Sequence, residues 1–308
     1  MGRETKVILH PQPPYDLNKY IQALGDFTSD GVNVFKKADL LGQAYYQRVI
    51  KVGGKYTLFT AYQKTPADRP KIVIQFKPRV NKKELKEKLA WIFGLDESLK
   101  GFYQRAKKDP VLSKVTEQFY GMVPIRTATV FEMVITAITE QQISLAVAVK
   151  IRARLVKRFG ESIKLNGEKY YAFPTPEKLA FLKPSELLKI GLSHQKVSYI
   201  IGFSKKVAVG EFDVEGLKKK SDKEVIEKLT QIKGLGVWTA EYVLARGLGR
   251  TDVFPADDLG VRTAIGKLYG TGKIVSAQEA RKILVKWKPY RRYTTFYLLC
   301  AGRLNPVM

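Results

Sequence analysis

The sequence predicts an α+β protein, with an N-terminal antiparallel-sheet domain over residues 1–108 and a mostly helical domain over residues 109–308. Three observations lead there. The glycine pair Gly53-Gly54 separates two β-patterned runs. From about Asp109 onward, apolar residues recur at helical spacing. A chain of 308 residues is also long enough to bury two cores.

The elements follow in chain order. Asp16 is placed to cap a short helix through Leu24, with Gly25 ending it. Ala44 to Val52 and Tyr56 to Tyr62 form a hairpin around Gly53-Gly54, and Lys71 to Phe76 supplies a third strand. Asn81 with Glu84 reads as a capping box for a helix that buries Leu85, Leu89 and Ile92 and stops at Gly94. The charged stretch from Gly101 to Pro110 is the expected boundary. Beyond it, Phe131 to Phe159 reads as one or two helices. Eight further helices are expected from Thr175 to Gly302, joined by short loops containing Pro or Gly. No internal repeat or coiled-coil pattern points to an oligomer, so a monomer is expected.

Composition narrows the function. Lys and Arg total 54 against 29 Asp and Glu, a formal charge of +25, and nucleic acid is the commonest partner for so basic a domain. No apolar run approaches the roughly 18 residues of a membrane span, and the N-terminus does not read as a secretion signal. The single cysteine, Cys300, sits in an apolar run and reads as core. One cysteine cannot build a disulfide, an all-cysteine zinc site or an iron–sulfur cluster, and it fits a reducing cytoplasm. His10 and His194 are far apart and lack cysteine companions, so a histidine metal site is not expected.

The chemistry concentrates between Leu229 and Ile265. A helix ends near Thr230, and Gly234-Leu235-Gly236 turns tightly into the next one. Free N–H groups and the positive dipole end at such a turn suit a DNA phosphate, and its outward carbonyls suit a monovalent cation. Asp257 and Asp258 then follow Pro255-Ala256 and open a helix. Aspartate at a helix start is usually a cap, but capping needs only one of the two. An ionised carboxylate at the positive end of a helix can support a cation-like sugar and orient a water while an N-glycosidic bond breaks. Trp238 and Tyr242 share one helix face at i, i+4, and electron-rich rings there would stack on a cationic base.

The run from Gly234 through Ala240, followed by Val253-Phe254-Pro255-Ala256-Asp257-Asp258, resembles the helix–hairpin–helix DNA glycosylase superfamily, in particular its 3-methyladenine DNA glycosylase II (alkylbase) branch. Trp287-Lys288-Pro289-Tyr290-Arg291, Tyr45-Tyr46-Gln47-Arg48 and the segment Ala137 to Ser144 carry the similarity along most of the chain. The resemblance implies an N-terminal domain like half a TATA-binding protein, then two helical subdomains with the active site between them. It implies double-stranded DNA with damaged bases as substrate, a nucleoid-associated cytoplasmic enzyme, and base release with no cofactor for catalysis. Asp258 is then catalytic, with Asp257 as local support. Trp238, Tyr242 and Tyr290 line the base pocket; Gln142, Gly234 and Gly236 contact DNA. The carbonyls of Thr230, Ile232 and Leu235 hold a structural Na+ or K+. Gln142 stands where the family wedges into DNA, and the sequence leaves open whether it or Gln141 does so. Bifunctional relatives carry a lysine where this chain has Trp238, and an indole cannot form a Schiff base. Two alternatives stay open: excision of deaminated or oxidised purines on the same scaffold, and a non-catalytic DNA-binding protein that uses the hairpin as a phosphate clamp.

Overall fold

The computed structural model describes residues 5–38, 42–269 and 272–304. The N-terminal part contains β1 (Thr5–Leu9), α1 (Leu17–Thr28), β2 (Val34–Lys36), β3 (Tyr45–Val52), β4 (Lys55–Gln63) and β5 (Ile72–Lys77). The five strands form one antiparallel sheet in the order β1-β5-β4-β3-β2. Gly53 and Gly54 both adopt positive φ, 54° and 78°, so the turn twists with its strands and needs no Cβ. Asp16 caps α1 as expected, accepting from Lys19 N at 2.8 Å. The helix nevertheless runs past Gly25 to Thr28. Gly25 is there for close packing: a Cβ would lie 3.1 Å from that of Phe35. The capping box at Asn81 is only half formed. Asn81 caps, but the Glu84 carboxylate turns away to take the N–H of Gly53 at 2.8 Å, tying helix to hairpin.

Helices α2 (Lys82–Ile92), α3 (Lys100–Ala106) and α4 (Pro110–Gln118) follow, so the charged stretch is itself largely helical. Then come α5 (Val130–Glu140), α6 (Leu145–Phe159), a hairpin of β6 (Ser162–Leu165) and β7 (Glu168–Tyr171), α7 (Pro176–Ala180), α8 (Pro184–Leu188), α9 (His194–Ala208), α10 (Asp222–Thr230) and α11 (Val237–Tyr242). The last three helices are α12 (Leu259–Leu268), α13 (Ala277–Leu284) and α14 (Arg291–Leu304). The β6–β7 hairpin was not expected, although Asn166-Gly167, with φ of 51° and 85°, is a strong turn signal.

Among the described residues two large hydrophobic cores organise these elements, and a small third cluster of Val49, Leu58 and Ala172 packs the β6–β7 hairpin against the sheet. One joins the sheet, α1–α4 and the C-terminal helices, from Val7 to Ile125 and from Phe254 to Ala301. The other holds the middle of the chain, from Val130 to Leu248. Buried ion pairs stitch the two together: Arg48 to Glu132, and Arg152 to Asp30 at 3.1 Å. Within the first core, Glu97 takes both Arg126 and Arg292. Among the described residues no helix is long and apolar enough to cross a membrane.

Candidate active site

A cleft of ≈ 1510 Å³ opens where the two cores meet. The turn between α10 and α11 forms one wall, the N-terminus of α12 another, and Tyr20 of α1 with Phe296 of α14 reaches in from the first core. The turn has little freedom. Gly234 has φ +90°, and a Cβ there would sit 2.2 Å from the Tyr199 ring. Gly236 differs: a Cβ would meet nothing within 4 Å, so the fold itself does not require glycine there.

Asp258 is the N-cap of α12 and faces the cleft. Its Oδ1 accepts from Val261 N at 3.0 Å, and its Oδ2 accepts from the Trp238 indole Nε1 at 3.3 Å. The cap and the candidate catalyst are therefore one residue, with a separate partner for each carboxylate oxygen. Asp257, expected to support it, is exposed instead. The support comes from Trp238 and from Glu241. The buried Glu241 accepts from Ala256 N at 3.2 Å and pairs with Arg281 at 2.7 Å, fixing the loop that delivers Asp258. Burial pushes the Glu241 carboxyl up in pKa, and Arg281 opposes that shift.

Trp238 and Tyr242 come together as expected, with ring centroids 5.3 Å apart and planes tilted by 33°. The Tyr242 hydroxyl donates to Glu140 Oε2 at 2.8 Å, while Arg152 holds Glu140 Oε1 at 2.6 Å. Burial, followed by the Glu140 charge, pushes the Tyr242 phenol well up, so it keeps its proton. Tyr290 is not brought to this group. It does not line the cleft: its ring packs against Phe102 at 6.3 Å, and its hydroxyl lies over Gly101. The C-terminal segment turns it toward α3 to fill the first core, and Trp287 is core as well.

Gln141 and Gln142 separate in role. Gln141 Nε2 donates to the Gly234 carbonyl at 2.9 Å, which anchors the α5–α6 elbow on the hairpin. Gln142 is exposed, with φ +56°, at the tip of that elbow. Thr230, Ile232 and Leu235 all line the hairpin side of the cleft. Part of the basic charge is paired within the fold. In α6, Arg152 is buried in ion pairs, and four of the residues between Arg281 and Arg292 pair with Glu241, Asp109, Asp252 and Glu97. Among the described residues no cluster of His, Cys, Asp or Glu is arranged to hold a metal. Sequence reasoning missed Glu140, Glu241 and Arg246. Only Arg246 carried a signal, four residues beyond Tyr242 on the same helix face.

The chain has counterparts among known proteins. Residues 135–289 match the family model of the HhH-GPD superfamily base excision DNA repair proteins. The chain is 39 % identical over 206 residues to a DNA-3-methyladenine glycosylase of Bacillus subtilis (strain 168), covering 67 % of this chain and 68 % of that one. A solved 3-methyladenine DNA glycosylase from Archaeoglobus fulgidus superposes with a TM-score of 0.84 at 31 % identity, over 98 % of this chain and 100 % of that one. A Schizosaccharomyces pombe 3-methyladenine DNA glycosylase in complex with abasic DNA matches at 29 % identity and a TM-score of 0.56, over 64 % of this chain and 94 % of that one. With Asp258 at the mouth of its helix, the Trp238–Tyr242 pair beside it and the hairpin below, the chain belongs to the HhH-GPD superfamily of base excision DNA repair proteins.

Proposed function

We propose that this protein is a monofunctional DNA glycosylase that extrudes alkylated bases such as 3-methyladenine and hydrolyses their N-glycosidic bond. The observation that carries the reading is the Asp258 carboxylate, half-buried, with one oxygen capping α12 and the other against the Trp238 indole. The carboxylate stands at the N-terminus of the ten-residue α12, the positive end of that helix's dipole. Facing the sugar of an extruded nucleotide, it stabilises the positive charge that builds at C1′ and orients the water that adds there. The flipped base enters beside Trp238 and Tyr242, whose electron-rich faces attract a cationic ring by about 0.5–2 kcal/mol each. An alkylated cationic base already leaves easily, so the site needs no dedicated acid. Trp238 stands where a Schiff-base lysine would be needed, so no lyase step follows.

The hairpin binds the DNA backbone. The open space above Gly236 lets a phosphate approach the N–H groups that begin α11. The turn carbonyls of Thr230, Ile232 and Leu235 are neutral oxygen donors, a set that suits Na+ or K+, and the ion would add positive charge toward the same phosphate. Gln142, exposed at the elbow tip, would enter the gap left by the extruded base, while Gln141 stays engaged with Gly234.

The test is D258N assayed on methylated duplex DNA. Asparagine also caps helices, so the fold is kept. Base release is expected to fall by at least about a hundredfold with DNA affinity nearly unchanged. Wild-type products should be free 3-methyladenine and abasic sites that break only in alkali. Strong residual excision by D258N would remove the catalytic assignment of Asp258, and a wild type that releases no damaged base would favour a non-catalytic DNA-binding protein.

A further inference from the structure

The five-stranded sheet has a second face, opposite the one that packs on α1. Side chains alternate along each strand, so Tyr46, Phe59, Ala61, Ile74 and Phe76 enter the first core and their neighbours point out. The five strands contain no Asp or Glu at all, although they carry Lys6, Lys36, Lys51, Lys55 and Lys77. The β6–β7 hairpin covers one end of the outer face, over Val49 and Leu58. Beside it an open groove of ≈ 530 Å³ remains, and it shares no lining residue with the cleft. Tyr45 and Tyr62 flank the registered pair Tyr46–Ala61, so they stand side by side on the groove floor, and Tyr170 of β7 adds a third ring from the wall. Gln47 donates to Thr60 Oγ1 at 3.0 Å on the same floor. All three tyrosines are half-buried, and among the described residues Tyr45 and Tyr62 belong to none of the hydrophobic clusters. Lys37, Lys64 and Lys77 line the groove, and no acidic residue does. Lys37 is paired with Asp26 at 2.6 Å. Lys64 lies over the Tyr62 ring, 5.8 Å from its centroid, and Lys77 is exposed.

We propose that this groove is a second nucleic-acid site, which holds single-stranded DNA on the outer face of the sheet. Ring faces at Tyr45, Tyr62 and Tyr170 stack on unpaired bases, while Lys64 and Lys77 neutralise the phosphates that link them. A duplex keeps its base faces stacked inside and offers only edges and phosphates, so it has no use for the exposed rings. An acidic peptide would engage the lysines but not the three phenol faces. Single-stranded DNA supplies both the negative charge and the flat rings that the groove matches. DNA is the nucleic acid of choice because the chain belongs to a superfamily of DNA repair proteins. Stacking is tolerant of base identity, so the site holds a strand without reading its sequence. Because the groove and the cleft share no residue, a strand on the sheet leaves the cleft open to duplex. The site goes beyond the glycosylase reading and does not depend on it.

The experiment is fluorescence anisotropy of labelled oligothymidylate with wild type, Y62A, Y62F and the double variant K64E/K77E, alongside binding of an undamaged duplex and base release from methylated duplex. Wild type is expected to bind the single strand. Y62A should weaken that binding at least about fivefold, and Y62F, which keeps the ring, should stay within about twofold of wild type. K64E/K77E should weaken it and flatten its dependence on salt. Duplex binding and base release should be unchanged in all three variants. A wild type with no affinity for oligothymidylate overturns the proposal. So do variants that bind it as wild type does, an outcome that places the strand in the cleft. Loss of single-strand and duplex binding by the same factor also overturns it, because the lysines would then act only through overall charge. If Y62A does not fold, K64E/K77E decides, since both lysines are exposed. A wild type that binds the strand through this groove but releases no damaged base would remove the glycosylase reading and leave the second site standing.

Discussion

At the scale of single residues, the two glycines of the hairpin look alike in sequence but do different work. Gly234 combines φ +90° with a neighbour, the Tyr199 ring, that would sit 2.2 Å from any Cβ. G234A must therefore displace an aromatic side chain and strain the backbone, and we expect it to lower stability by about 1–3 kcal/mol. Gly236 has an ordinary φ of −87° and open space above it. G236A should leave the thermal midpoint nearly unchanged while weakening binding to undamaged duplex DNA. Thermal unfolding and fluorescence anisotropy on both variants check this. A G236A variant with normal DNA affinity would show that the phosphate does not approach there. Cys300 is the other residue whose reading depends on its surroundings. It is buried, and burial pushes its thiol up to about 12, so it stays unreactive near neutrality.

At the scale of elements, the α5–α6 elbow connects the pocket to the N-terminal part. Glu140 ends α5, Arg152 lies in α6, and Asp30 follows α1, forming the chain Tyr242–Glu140–Arg152–Asp30. Arg152 is only 4 % exposed, so removing it leaves two carboxylates in a poorly solvated place. R152M should therefore cost about 3–5 kcal/mol in urea denaturation, far more than loss of a surface pair. A loss below about 1 kcal/mol would mean that water replaces the guanidinium and that the chain does not tie pocket to domain. The elbow itself was only half legible. Helical periodicity runs from Phe131 to Phe159 with no Gly or Pro to interrupt it. The break comes at Gln142, which has positive φ; the Ser144 cap that restarts α6 is a local signal, but the bond from Gln141 to the hairpin carbonyl of Gly234 spans 93 residues and no local pattern encodes it.

At the scale of the whole molecule, the two ends of the chain share one core and the middle forms the other. The buried Phe102 shows this: it packs against Tyr293 at 5.7 Å and Tyr297 at 5.2 Å, nearly two hundred residues away. A fragment of residues 1–108 would lack the α14 surface that covers α3. We expect that fragment alone to show no cooperative thermal transition, whereas the full chain does. Cooperative unfolding of the isolated fragment by calorimetry would show that the sheet and its own helices suffice. The cleft follows from the same arrangement, because it lies between the two cores.

Local chemistry by itself determined the α+β class, the hairpin at Gly53-Gly54, the helix caps at Asp16 and Asn81, and the Gly234-to-Asp258 stretch as the chemical centre. These depend on backbone angles, periodicity and the position of a carboxylate at a helix start, all set within a few residues. Only the tertiary structure decided that Tyr290 belongs to the core and not the pocket, that Asp258 is both cap and cleft carboxylate, and that Arg152 and Arg292 are spent on buried ion pairs. It alone brought Glu140 beside Tyr242. The reason is that burial and charge pairing join groups tens to hundreds of residues apart, and an arginine facing DNA and one buried against a carboxylate are the same letter in a sequence.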